Sequence, residues 1–128
     1  MILVDTGVLI DFLRTKDAKL GALFQGLPVA ICGVVRAEIL AGARGAADRQ
    51  RLVTFLTPFR PVSTLESIWD KVGDTLSTLG AVGIIVPLCD ALLATLAIEN
   101  DIELWARDPH FRIIQQHVPA LKFFQEPP

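Results

Sequence analysis

Apolar residues fall along this chain in short blocks separated by stretches with helical spacing. Met1–Val4 is a compact apolar run that stops at Asp5-Thr6-Gly7, which has the form of a strand-to-helix junction. A short helix follows through Leu13, and a second, Ala18–Gln25, closes at Gly26, a residue suited to the position after a helix. Pro28–Cys32 has the pattern of a second strand, broken by Gly33, and Val34–Ala43 is helical in pattern with Glu38 in its middle. Ala46–Leu56 continues as a helix, and Arg60–Val62 is a third, short strand whose Pro61 restricts it to an edge.

Ser63-Thr64-Leu65-Glu66 has the spacing of a capping box, which predicts a helix from there to about Leu79. Gly80 and Gly83 punctuate a loop, and Ile84–Val86 is apolar but short. Asp90 stands at the start of a helix over Ala91–Glu99. Glu103–Ala106 is a fourth strand and Leu121–Phe124 a fifth candidate; between them Asp108-Pro109 fits an N-cap followed by a first helical residue. Strands alternating with helices of this length predict one α/β domain over residues 1–128, with a mainly parallel sheet covered by helices on both faces. In such sheets, binding sites form beyond the carboxyl ends of the strands.

Composition narrows the function. An apolar fraction of 52% can fill a core and leave apolar surface for a subunit or partner interface; a core rich in Ala, Leu and Val is the alternative. The longest apolar runs are broken by Gly and Pro, too short for a bilayer span, and the first residues lack the basic start of a signal peptide. Cys32 and Cys89 have no metal-ligand spacing and no disulfide framework, which sets a reduced cytoplasmic expectation. The net charge of −2 gives no overall basic field for a nucleic acid, so phosphates would have to be neutralised locally.

Four carboxylates stand out because their neighbours are apolar: Asp5 after Ile2-Leu3-Val4, Glu38 within Val34–Leu40, Asp90 between Leu88-Cys89 and Ala91-Leu92, and Asp108 after Leu104-Trp105-Ala106-Arg107. Taken singly, Asp5 suits a turn, Asp90 and Asp108 suit helix caps, and Glu38 could pair with an arginine. Three of the four are expected at strand-to-helix junctions, where they can converge at one sheet edge. Converging carboxylates repel one another and raise each other's pKa; a divalent cation relieves both effects, and oxygen ligands alone favour Mg²⁺ or Mn²⁺. Arg36, Arg44, Arg49, Arg51, Arg107 and Arg112 are candidate phosphate contacts, with Arg107 preferred because it adjoins Asp108. Leu9, Phe12 and Leu13 together with Leu20, Leu23 and Phe24 predict an apolar groove for a partner helix or a second subunit.

At Ile2–Ile10, Val34–Gly42, Pro87–Ala97 and Leu104–Phe111 the chain resembles the PIN-domain family, and within it the VapC-type toxin ribonucleases of toxin–antitoxin pairs. The four segments occur in order and span most of the chain. The resemblance implies an α/β/α architecture with a parallel sheet of about five strands in the order 3-2-1-4-5. It implies Mg²⁺- or Mn²⁺-dependent endonucleolytic cleavage of RNA, inhibition by a cognate antitoxin, and a homodimer. Asp5, Glu38, Asp90 and Asp108 fall on the acidic positions, with Asp5 and Asp90 as metal ligands. Thr6 and Arg107 fall beside them as supporting or substrate-binding residues. Ala106 departs from the pattern, because a Thr or Ser is usual there. The alternatives are a PIN-like module that binds RNA or protein without cutting, and a receiver-like Mg²⁺-binding signalling domain. The second lacks an acidic pair near the first strand and a suitable lysine near the fifth.

Overall fold

The structure, a computed structural model, describes residues 1–128. Four short parallel strands, β1 (Ile2–Val4), β2 (Val29–Cys32), β3 (Arg60–Val62) and β4 (Glu103–Trp105), form a sheet in the order β3-β2-β1-β4. Leu3 pairs with Ala30 on one side and Leu104 on the other, so β1 is central. β1 and β2 carry no polar residue and are buried throughout, as expected of strands covered on both faces. Pro61 lies in β3 at the sheet edge, where a missing N–H costs no ladder bond.

Seven helices complete the chain: α1 (Thr6–Thr15), α2 (Ala18–Gly26), α3 (Gly33–Ala41), α4 (Ala46–Leu56), α5 (Ile68–Gly80), α6 (Leu88–Glu99) and α7 (His110–His117). α6 is apolar all round, and Ala91 through Ala97 are buried without interruption, which makes it a core element rather than a surface helix. Its one buried hydroxyl, Thr95 Oγ1, bonds Thr75 Oγ1 of α5 at 2.8 Å and its own Ala91 carbonyl at 2.6 Å, so no polar atom is stranded between the two helices. No helix is long and apolar enough to cross a membrane.

The fifth strand is reduced to a single bridge. Phe123 pairs with Leu104 in parallel, and Leu104 N–H donates to the Lys122 carbonyl while Phe124 N–H donates to the Leu104 carbonyl. The tail therefore occupies the expected position beyond β4, in the expected order, over fewer residues than Leu121–Phe124. The capping box does not form. Val62 still belongs to β3, and Ser63–Leu65 carry the chain from the sheet edge to the helix layer, so α5 begins only at Ile68, the first residue there that can be buried. No strand precedes Asp90 either. Gly83, at φ +78°, lets the chain close the end of α5 by an Ile84 N–H bond to the Leu79 carbonyl, and Ile85 emerges almost fully exposed.

The chain lays down β1, β2 and β3 in one direction, then returns to place β4 on the other flank of β1. The reversal lies between β1 and β4, the place where open parallel sheets form their sites.

Candidate active site at the switch between β1 and β4

Asp5 is the residue between β1 and α1. Its N–H donates to the Trp105 carbonyl at 2.9 Å, which carries the parallel ladder one step past the strand and pins Asp5 beside the end of β4. Asp108 lies in the β4–α7 connection. Its Oδ1 accepts from the His110 N–H at 2.9 Å, so it caps α7 as the Asp-Pro pair predicts, although helical geometry starts one residue later than expected. His110 Nδ1 stands 3.5 Å from the same oxygen. Asp90 is in the first turn of α6, below its Pro87 N-cap, and not at a strand end. Glu38 projects from the exposed side of α3, and its Oε1 accepts from the Thr6 hydroxyl at 3.1 Å.

The four acids form one electrostatic group. Burial pushes the Asp5 carboxyl up to about 6, with Asp90 and Glu38 adding to the rise and N–H groups of Thr6 and Gly7 opposing it. Asp90 is also raised, first by burial and then by the charges of Asp108 and Glu38, with His110 acting the other way. The charges of Asp90 and Glu38 thus reach Asp5, and those of Asp108 and Glu38 reach Asp90.

No three Asp, Glu, His or Cys side chains close on a single point as a finished metal cage. The fit to a cation lies in donor chemistry and charge. The acids supply oxygen atoms only, at a sheet edge open to solvent, with unbalanced negative charge. Mg²⁺ keeps several waters and is held by one or two carboxylates plus substrate phosphate, which an open arrangement of this kind suits.

The environment of Arg107 is fully specified. Its Nε and NH2 groups donate to the two oxygens of Glu126 at 2.8 and 2.7 Å, and NH1 donates to Asp11 Oδ2 at 3.0 Å. All three nitrogens are engaged, and these carboxylates hold the guanidinium protonated. Asp11 and Glu126, which look like ordinary surface acids in sequence, are its partners. Their separations of 96 and 19 residues leave no local signal. Of the other candidate arginines, Arg51 pairs with Asp48, and Arg112 stacks over the Phe123 ring at 4.1 Å.

Cys89 lies close to the acids despite its apolar neighbours in sequence. It is half-buried in the first turn of α6, and after burial the charges of Glu38, Asp90 and Asp5 push its thiol up, away from a reactive thiolate. The apolar groove also differs from expectation in membership. Leu9 and Leu20 are in the core, whereas Phe12 and Phe24 line a cleft of about 740 Å³ with Phe55, Leu27 and Pro28.

Residues 2–116 match the model of the PIN domain family. Ribonuclease VapC10 of Mycobacterium tuberculosis is 33% identical over 124 residues, covering 93% of this chain and 92% of that protein. Among solved structures, VapBC2 from Rickettsia felis bound to a promoter DNA fragment superposes with a TM-score of 0.80 at 20% identity, covering 97% of this chain and 98% of the other. VapBC-1 from nontypeable Haemophilus influenzae gives 0.80 at 18% identity over 98% of both chains. The fold, the order of the strands and these relatives agree: this chain belongs to the PIN-domain family, in its VapC group.

Proposed function

We propose that this PIN domain is an endoribonuclease, the toxin of a type II toxin–antitoxin pair, hydrolysing RNA phosphodiester bonds at Asp5, Glu38, Asp90 and Asp108. The observation that carries the reading is the elevation of both Asp5 and Asp90 at the sheet's switch point, by burial and by neighbouring carboxylates: Asp90 and Glu38 act on Asp5, and Asp108 and Glu38 act on Asp90. That charge calls for a divalent cation, Mg²⁺ or Mn²⁺, held by Asp5 and Asp90. When bound there, such a cation supplies Lewis-acid activation of water and charge neutralisation at the phosphate.

The remaining chemistry is the chain's own. Asp5, with its carboxyl near 6, is ionised in neutral solution and available as a ligand. Glu38 gives one oxygen to the Thr6 hydroxyl and keeps the other to orient the attacking water. Asp108, fixed by the His110 N–H, closes the opposite side. Arg107 acts by holding the wall of the site: its guanidinium joins α1 through Asp11 to the tail through Glu126, directly beside Asp108.

A toxin–antitoxin complex from Klebsiella pneumoniae is among the structures that share this fold, and a cognate antitoxin is the proposed partner here, in the cleft lined by Phe12, Phe24 and Phe55. The exposed Val82, Ile85 and Leu88 are the apolar surface for a second copy, giving a homodimer.

Induced expression followed by mapping of cellular RNA ends tests the function: new ends at defined positions with wild type and none with Asp90→Asn support it. An identical set of ends with Asp90→Asn would overturn it. Thr6→Val, which frees Glu38, is expected to slow cleavage by about threefold to tenfold while the unfolding free energy changes by about 1 kcal/mol or less. Steady-state kinetics beside a thermal melt separate the two. Metal linkage has its own signature. Protonation of Asp5 competes with the cation below a pH of about 6, so Mn²⁺ should raise the melting temperature clearly at pH 8 and little at pH 5.

A further inference from the structure

A second cleft, of about 770 Å³, is lined by Glu38 and runs between α1, α3 and α4. Arg14 and Lys16 line it from the end of α1, Arg44 from the α3–α4 connection and Arg51 from α4, against only Glu38 and Asp48 as acids. The chain as a whole carries −2, so this four-to-two excess of cations is a local feature set against the overall charge. The cations differ in what they are free to do. Arg51 is paired with Asp48, and Lys16 sits over the Phe12 ring at 5.7 Å. Arg14 and Arg44 are exposed and make no ion pair. Asp48 also accepts the Arg44 backbone N–H at 2.8 Å, which fixes the connection and leaves the guanidinium free at the cleft wall.

We infer that this cleft is the binding track for the phosphodiester backbone of single-stranded RNA on one side of the scissile bond, with Arg14 and Arg44 as its phosphate contacts. The inference rests on the ribonuclease reading above and extends it from the bond cut to the strand held. Three points carry it. Glu38 lines the cleft, so a strand lying in it touches a member of the acidic group. Its charge complements a polyanion where the acidic group itself repels one. Two unpaired guanidinium groups can donate in pairs to phosphate oxygens.

The test compares wild type, Arg14→Gln/Arg44→Gln, and a charge-matched control, Lys19→Gln/Lys71→Gln, at exposed lysines outside the cleft. A labelled single-stranded RNA oligonucleotide is the substrate, in Mn²⁺, across a potassium chloride series, with melting curves to verify folding. The inference expects KM for the cleft variant to rise on the order of tenfold at low salt with kcat unchanged. It also expects the log–log salt slope to fall by about 1.4, two contacts at about 0.7 each for a single strand. The control should match wild type. Unchanged KM and slope in the cleft variant, or an equal shift in the control, overturns the inference while leaving the ribonuclease reading in place. RNA kinetics unchanged by a variant that escapes inhibition by an acidic protein segment would assign the cleft to that segment instead, and also overturns it. If wild type cuts no RNA, fluorescence anisotropy with the same oligonucleotide decides the track alone. Binding weakened only by Arg14→Gln/Arg44→Gln keeps the track and removes the ribonuclease reading; binding indifferent to it removes both.

Discussion

Asp5→Asn should slow cleavage severely and at the same time make the metal-free protein harder to melt. The amide keeps the size of the side chain and an oxygen for the Thr6 and Gly7 N–H groups, but it cannot ionise and is a poor ligand for a hard cation. Loss of one ligating carboxylate in a site of this type should cost on the order of a hundredfold to a thousandfold in rate, about 3–4 kcal/mol of transition-state stabilisation. The stability effect has the opposite sign. Asp5 is raised from 3.8 to about 6 by burial and by Asp90 and Glu38, so the native state binds its proton more tightly than the unfolded chain does. A carboxyl of this kind contributes a penalty that is absent below about pH 4, grows as pH rises towards 6, and is complete above that. A shift of about two units corresponds to about 3 kcal/mol, and the partial exposure of the site reduces that to about 2 kcal/mol. Melting curves in EDTA at pH 7.5 should show Asp5→Asn above wild type by about 5 °C or more, with the two converging near pH 4. Mn²⁺ should close the gap from the wild-type side only. A variant that is inactive because it is misfolded would melt lower, which distinguishes loss of a ligand from loss of structure.

Trp105→Ala carries the largest expected effect on the fold. Trp105 is fully buried at the end of β4, with its ring 5.3 Å from Phe24 and 4.7 Å from Phe124 between centroids. Its indole N–H donates to Glu126 at 3.0 Å, the same carboxylate that grips Arg107. Truncation empties the space between α2 and the tail and removes one of two anchors of Glu126. Replacing a buried aromatic residue by alanine costs about 3–5 kcal/mol, a large part of the roughly 5–15 kcal/mol that holds a domain folded. Chemical denaturation should give a loss in that range, and hydrogen exchange should show the tail from Lys122 onward losing protection first. Trp105→Phe, which keeps much of the packing and loses the indole bond, should cost about half as much. Equal losses for the two variants would assign the effect to the hydrogen bond and its network rather than to the cavity.

What could be read from the sequence was what depends on near neighbours. The run Ile2-Leu3-Val4 before Asp5, the edge position of Pro61 and the Asp108-Pro109 cap each follow from steric or hydrogen-bonding rules acting over a few residues, and each is present in the fold. The four carboxylates were legible because a charge amid apolar neighbours has a cost that demands a reason. What could not be read depends on where elements meet. The capping box at Ser63 lost to the pairing of Val62 in β3, a tertiary contact that overrides a local signal. The clamp on Arg107 joins residues from α1, the β4–α7 connection and the tail, and nothing near Asp11 or Glu126 marks either as its partner. Cys89 has apolar neighbours in sequence, yet the first turn of a helix that starts at the surface puts it among the acids.

The most direct test of the metal site is cleavage of a single-stranded RNA by the purified protein, with Mn²⁺ and again after excess EDTA. Carboxylates raised by burial and by their acidic neighbours, as Asp5 and Asp90 are, predict cutting with Mn²⁺, none with EDTA, and full recovery when Mn²⁺ is restored. Cutting that proceeds unchanged in EDTA would contradict it.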